Sequence, residues 1–135
     1  IELPVGTIVT VKTGPLLGAA SSTLLNALKK LAGIDQELEL VSARAIEPIQ
    51  TLKTNYLGSK NPRLHTDEIL IALSSSVSES EYAAAALHQL PKLKGCDMHS
   101  TVILSSVDSD TLNKLGIYLT CDPAYEEEDR KYHKK

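Results

Sequence analysis

The chain contains no Phe and no Trp, and its only aromatic residues are five Tyr. Any core it builds must therefore be aliphatic, assembled from Leu, Ile, Val and Ala. The same absence removes the exposed aromatic faces on which single-stranded nucleic acids stack. A net charge of −3 and a pI near 5.8 remove the basic stripe that binding to a phosphate backbone needs. No apolar run approaches the ~20 residues of a membrane span. Neither nucleic acid nor membrane is thus an expected partner. At 135 residues the chain is one domain's worth, long enough to bury roughly two-thirds of its unfolded surface without a disulfide or a metal.

Hydrophobic spacing organises residues 1–125 as a single α/β domain. Thr7 to Val11 is β-branched and reads as a strand. Gly14 and Pro15 break it, and Ser21 or Ser22 then caps a helix whose apolar face is Leu24, Leu25, Leu28, Leu31 and Ala32. Gly33 stops that helix. Leu38 to Val41 is a candidate second strand. Pro48 suits a helix's first turn, and Ile49, Leu52, Tyr56 and Leu57 share a face, with Gly58 stopping the run. Thr66 caps the next periodic run, Ile69, Leu70, Leu73 and Val77, which reads as helix rather than buried strand. Ser78 and Glu81 have capping-box spacing ahead of an Ala-rich helix with Tyr82, Ala83, Ala86, Leu87 and Leu90 on one side. Ser100 to Leu104 is the clearest strand. Asp108 caps a short helix ended by Gly116, and Ile117 to Thr120 is the last strand. Strand, helix, Gly-Ile occurs near both ends of the chain, as two β-α units of one sheet would give. The arrangement expected is an α/β/α sandwich in three layers around a small mixed sheet. Residues 126–135 carry balanced acids and bases and read as a solvated tail.

Three groups of residues carry possible chemistry. Lys12 to Thr23 has two glycines and ends at a helix start. Its amides, Lys12 and the hydroxyls of Ser21 and Ser22 could hold an anion, or the stretch could be a turn followed by a cap. Asn61 to Glu68 crowds Arg63, His65, Asp67 and Glu68 before a helix. Arg63 could grip a carboxylate or phosphate, and His65 could exchange a proton near neutral pH. The alternative is a solvated loop whose acids favour the helix start. Cys96, His99 and Cys121 have metal-compatible types, with Asp97, Asp122 or His65 to complete a set, and Cys96 with His99 could form a nucleophilic pair. There is no second close pair of ligands, so buried thiols beside a loop histidine explain the same residues.

The stretches Asn61 to Glu68, Leu93 to Thr101 and Leu115 to Tyr125 resemble the C-terminal domain of the bacterial domain-of-unknown-function family 1846. The likeness runs from Leu3 to Tyr125. It implies a C-terminal piece of a longer cytoplasmic protein, consistent with a chain that opens on Ile1, and a three-layer sandwich with cytidine-deaminase-like topology. It implies no activity and supplies no catalytic residues. The protease label borne by some relatives finds no support in the residues, because H-E-x-x-H and G-x-x-x-x-G-K-[ST] are both missing. The deaminase pair H-x-E and P-C-x-x-C is missing too. No cofactor is identified by any motif. The expected role is an accessory domain, partnered by the N-terminal part of its own chain, that helps bind a small anionic metabolite. Lys12, Ser21, Ser22 and Arg63 would hold the ligand while His65 or His99 moves a proton. The rival expectation is a structural module for oligomerisation or domain docking, suggested by the bare alanines 83–86.

Overall fold

The computed structural model describes residues 1–4, 6–11 and 17–122. Lys12, the Gly14-Pro15 break and the charged tail lie outside the described residues. The elements run in the order α1 (Ala19–Ala32), α2 (Ala43–Thr51), a π-helical turn (Leu52–Tyr56), α3 (Thr66–Ser76), α4 (Glu81–Leu87), a 3-10 turn (Leu90–Leu93), β1 (Asp97–Ser100), α5 (Ser106–Lys114) and β2 (Tyr118–Cys121).

The strands β1 and β2 are parallel, registered with Asp97 opposite Tyr118 and Ser100 opposite Cys121. The helix α5 is their crossover, which parallel pairing requires. On the far side of β1, Glu2 bridges antiparallel to Asp97 and also to Ile8. The mixed α/β class is thus present, with a small sheet extended by single bridges. The expected strand over Thr7 to Val11 is reduced to the bridge at Ile8. Leu3 and Thr7 close a tight reversal just before it, so only a short stretch can pair. Leu38 to Val41 is not a strand. The buried Lys29 Nζ donates instead to Leu38 O at 3.1 Å and to Gln36 O, just before the segment, at 2.9 Å. The final strand pair is displaced from the sequence expectation. β1 ends at Ser100, before the Thr-Val-Ile-Leu run, with Ser100 paired to Cys121.

The helices sit as their apolar spacing dictates. The core is aliphatic: Leu24, Ala27 and Leu28 of α1, Ile69 and Leu73 of α3, Ala83 and Ala86 of α4, Leu93 and Leu112 are each no more than 1% exposed. The helix α4 packs on α1 and α3. Ala83 and Ala86 are thereby buried inside the domain, while Ala84 is half-buried and Ala85 exposed on the other side of the helix. The caps shift by a few residues from those expected. Gly18 caps α1, so Ser21 and Ser22 lie inside its first turns. His65 caps α3 and Ser80 caps α4, where Thr66 and Ser78 were expected. Ser105, not Asp108, caps α5.

Gly116 ends α5 at φ 82°, and a Cβ there would lie 2.8 Å from Lys94 Cγ. Both the backbone region and the contact oppose a side chain. Gly116→Ala is expected to lower stability by about 1–2 kcal/mol, read as a lower urea midpoint at unchanged slope. A midpoint equal to wild type would show that the Lys94 side chain and this turn yield freely.

Candidate functional site

The Asn61 to Glu68 stretch is a junction where four elements meet. Leu64 bridges to Leu17. The Leu64 carbonyl accepts from Gly18 N–H at 3.4 Å and from Ser21 Oγ at 2.8 Å. Ser21 is only 1% exposed, so its hydroxyl fastens the start of α1 to this stretch. Lys53 reaches in from the π-turn, its Nζ donating to Arg63 O at 2.6 Å and to Glu68 Oε1 at 2.8 Å. Glu68 Oε1 also accepts from the His65 N–H at 2.8 Å. Asn61 is buried and its Oδ1 accepts from Arg63 N–H, which folds the loop on itself.

The other side of the junction is held by Asp108. Its Oδ1 accepts from the N–H and the hydroxyl of Thr66, at 2.8 and 2.9 Å. Its Oδ2 faces His65 Nδ1 at a longer 3.4 Å. The Asp108 N–H itself is in the first turn of α5, donating to Ser105 Oγ. One carboxylate thus sits at two helix N-termini, a position that favours negative charge. Burial pushes the Asp108 carboxyl up, but the His65 and Thr66 hydrogen bonds outweigh it and leave it below the ordinary value. The same hydrogen bond raises the His65 imidazole above 6.5 against its own burial.

A pH dependence follows. The His65 contribution is complete below about pH 6.5 and is lost as pH rises through the raised folded value. The Asp108 contribution is complete above the ordinary carboxylate range and is lost as pH falls through its lowered value. Thermal stability is expected to decline as pH rises above 6.5 and the imidazole deprotonates. Asp108→Asn should flatten that decline, as monitored by melting curves from pH 6 to 9. An equal decline in the variant would place the titrating group elsewhere.

His99 is built into a second arrangement, on β1. Its Nδ1 meets Thr120 Oγ1 at 2.8 Å and its Nε2 meets Asp122 Oδ1 at 3.2 Å. Carboxylate, imidazole and hydroxyl are in a line, the order in which a base is oriented and a hydroxyl is deprotonated. His99 also lines a cleft of about 380 Å³ beyond the carboxyl end of β1. Ser100, Thr101, Thr10 and Thr23 add hydroxyls to its wall, and Ile1, Val9, Val11 and Ala20 make the rest largely apolar. Ligands of open α/β sheets bind in this position.

The sequence candidates are therefore dispersed. Neither His65 nor Arg63 lines the cleft of His99. Ser22 opens instead onto a separate cleft of about 240 Å³ beside Lys29. Among the described residues no three His, Cys, Asp or Glu converge as metal ligands. The reason is strand geometry. Cys96 stands just before β1, its carbonyl accepting from Tyr118 N–H. Cys121 is at the far end of β2, about 13 Å along the strand. Side chains alternate, so His99 and Thr120 share one face while Cys121 is on the other. Burial raises the Cys96 thiol, helped by the charges of Asp97 and Glu2, and its Sγ contacts Lys92 O. Lys53 and the reach of Asp108 to α3 escaped the sequence reading, since nothing local marks a lysine as buried or a helix acid as a partner of another helix.

The chain matches the family described as "Domain of unknown function DUF1846, C-terminal" over residues 1–131. It belongs to that family. A UPF0371 protein of Corynebacterium aurimucosum is 55% identical over 135 residues, covering all of this chain but 27% of the relative. One from Corynebacterium urealyticum is 58% identical over 125 residues, 93% of this chain and 25% of the relative. One from Streptococcus sanguinis is 51% identical over 134 residues, 99% of this chain and 27% of the relative. The chain thus spans about a quarter of the length of the curated relatives it matches. The DUF1846 match runs past Asp122 into the charged tail. Among the described residues of this DUF1846 domain, no helix is long and apolar enough to cross a membrane.

Proposed function

We propose that this chain is an accessory C-terminal domain of a larger cytoplasmic bacterial protein and contributes one wall of a small-metabolite site. The observation that carries this reading is the cleft of about 380 Å³ beyond β1, with His99 and four hydroxyl-bearing residues on its wall. His99 would move a proton there, oriented by Asp122. Lys12 follows the cleft residue Val11 in sequence and would supply the cation for an anionic ligand, a nucleotide or phosphate compound. Ser21 and His65 would act at one remove, by fixing α1 and α3. Arg63 and Ser22 would serve ligands only in company with residues from the rest of the protein. The helices and the small parallel sheet would belong to a three-layer α/β/α sandwich with cytidine-deaminase-like topology. The second reading, a structural module for docking or self-association, is favoured by exposed apolar side chains near α2.

A thermal-shift screen of the full-length protein with nucleotides, sugar phosphates and acidic metabolites tests the site. A ligand at 100 times its dissociation constant adds about 2.7 kcal/mol of native stability. His99→Ala and Lys12→Ala should each weaken the response. A stabilising ligand whose effect is untouched by both substitutions would remove the cleft from consideration.

A further inference from the structure

The segment that leaves α2 is turned inside out. Its lysine is buried and its large apolar residues face solvent. Lys53 is 6% exposed, whereas Leu52 is 49%, Tyr56 77% and Leu57 72% exposed. The π-turn is part of the cause. Its Leu57 N–H donates to Leu52 O at 3.0 Å, a wider turn than an α-helix makes. Leu52, Tyr56 and Leu57, separated by four and one, are thereby gathered on one side. Thr54 Oγ1 holds the Gln50 carbonyl at 2.8 Å and steadies the approach. The buried lysine is then fixed by Arg63 O and Glu68, so the segment cannot roll its leucines inward without breaking an ion pair.

Such a surface is unfavourable in water and is explained if something covers it. Three side chains make a patch far smaller than the ~1,000 Å² on which two free proteins form a stable interface. A tethered partner needs less, because the linkage supplies a high effective concentration. The relatives provide such a partner. About three-quarters of their length lies outside the matched region, and the family describes that region as C-terminal. We propose that Leu52, Tyr56 and Leu57 are the docking face for the polypeptide that precedes this domain in the full-length protein. This does not depend on the ligand reading, since docking requires no ligand.

Hydroxyl-radical footprinting of the full-length protein tests it. Tyr56 should be modified several-fold more slowly than in the urea-unfolded chain, at every protein concentration. Modification of Tyr56 as fast as in the unfolded chain would overturn the proposal. Protection that appears only as concentration rises would overturn it in favour of a second copy. The double substitution Tyr56→Ser, Leu57→Ser alters only exposed positions, so the domain itself should stay folded. Limited proteolysis upstream of the domain should accelerate several-fold in that variant, and an unchanged rate would also overturn the proposal.

Discussion

Replacing Asp108 with Ala is expected to cost about 3–5 kcal/mol, the range for removing one partner of a buried charged cluster. Thr66 is fully buried, and Asp108 Oδ1 accepts from both its amide and its hydroxyl. Both donors would be orphaned at once, each at about 1–3 kcal/mol. The raised imidazole of His65 would lose the hydrogen bond that raises it. Asp108→Asn keeps one oxygen for Thr66 and should cost less than Asp108→Ala. Urea unfolding monitored by circular dichroism reads both. A midpoint for Asp108→Ala that translates to less than about 1 kcal/mol would mean that water replaces the carboxylate at this junction.

The local part of this architecture was legible in the sequence. The periodic leucines of α1 and α3, the stops at Gly33 and Gly116, and the succession β1, α5, β2 follow from nearest-neighbour chemistry. Ser, Thr and Asp at helix starts were legible only as a class. Several of them occur within a few residues of each boundary, and which one caps depends on where the chain must be to meet Leu64 or Thr66. The inward direction of a face was not legible where a charge is buried. Ile49, Leu52, Tyr56 and Leu57 announce an apolar face, but Lys53, Glu68 and the Arg63 carbonyl decide its orientation, and they lie 10 and 15 residues apart in sequence. The same limit applies to the site. Arg63, His65 and His99 were recognisable as chemistry-bearing types, while their separation into a structural junction and a strand-end cleft is a tertiary fact.

The ion pair between Lys53 and Glu68 is the second place where a single substitution should be costly. Lys53→Met keeps the length and the apolar stem, so little cavity is made, but it leaves the Glu68 carboxylate and the Arg63 carbonyl without the ammonium. A loss of about 3 kcal/mol is expected, the low end for breaking a buried pair, because the Glu68 side chain retains 24% exposure to water. Glu68→Gln alone removes the charge but keeps an oxygen for the His65 amide. In the double variant the unpaired charges are gone together. Its loss should therefore fall short of the sum of the single losses by about 1–2 kcal/mol. Additive losses would mean that Lys53 contributes through its stem and its bond to Arg63 O, not through charge. A strong coupling would have a further consequence for the surface. The ion pair would then be the element that holds the π-turn with its lysine inward, and with it the outward direction of Leu52, Tyr56 and Leu57. In the double variant nothing charged opposes their burial, and radical modification of Tyr56 in the domain should slow as the segment rolls onto the aliphatic core.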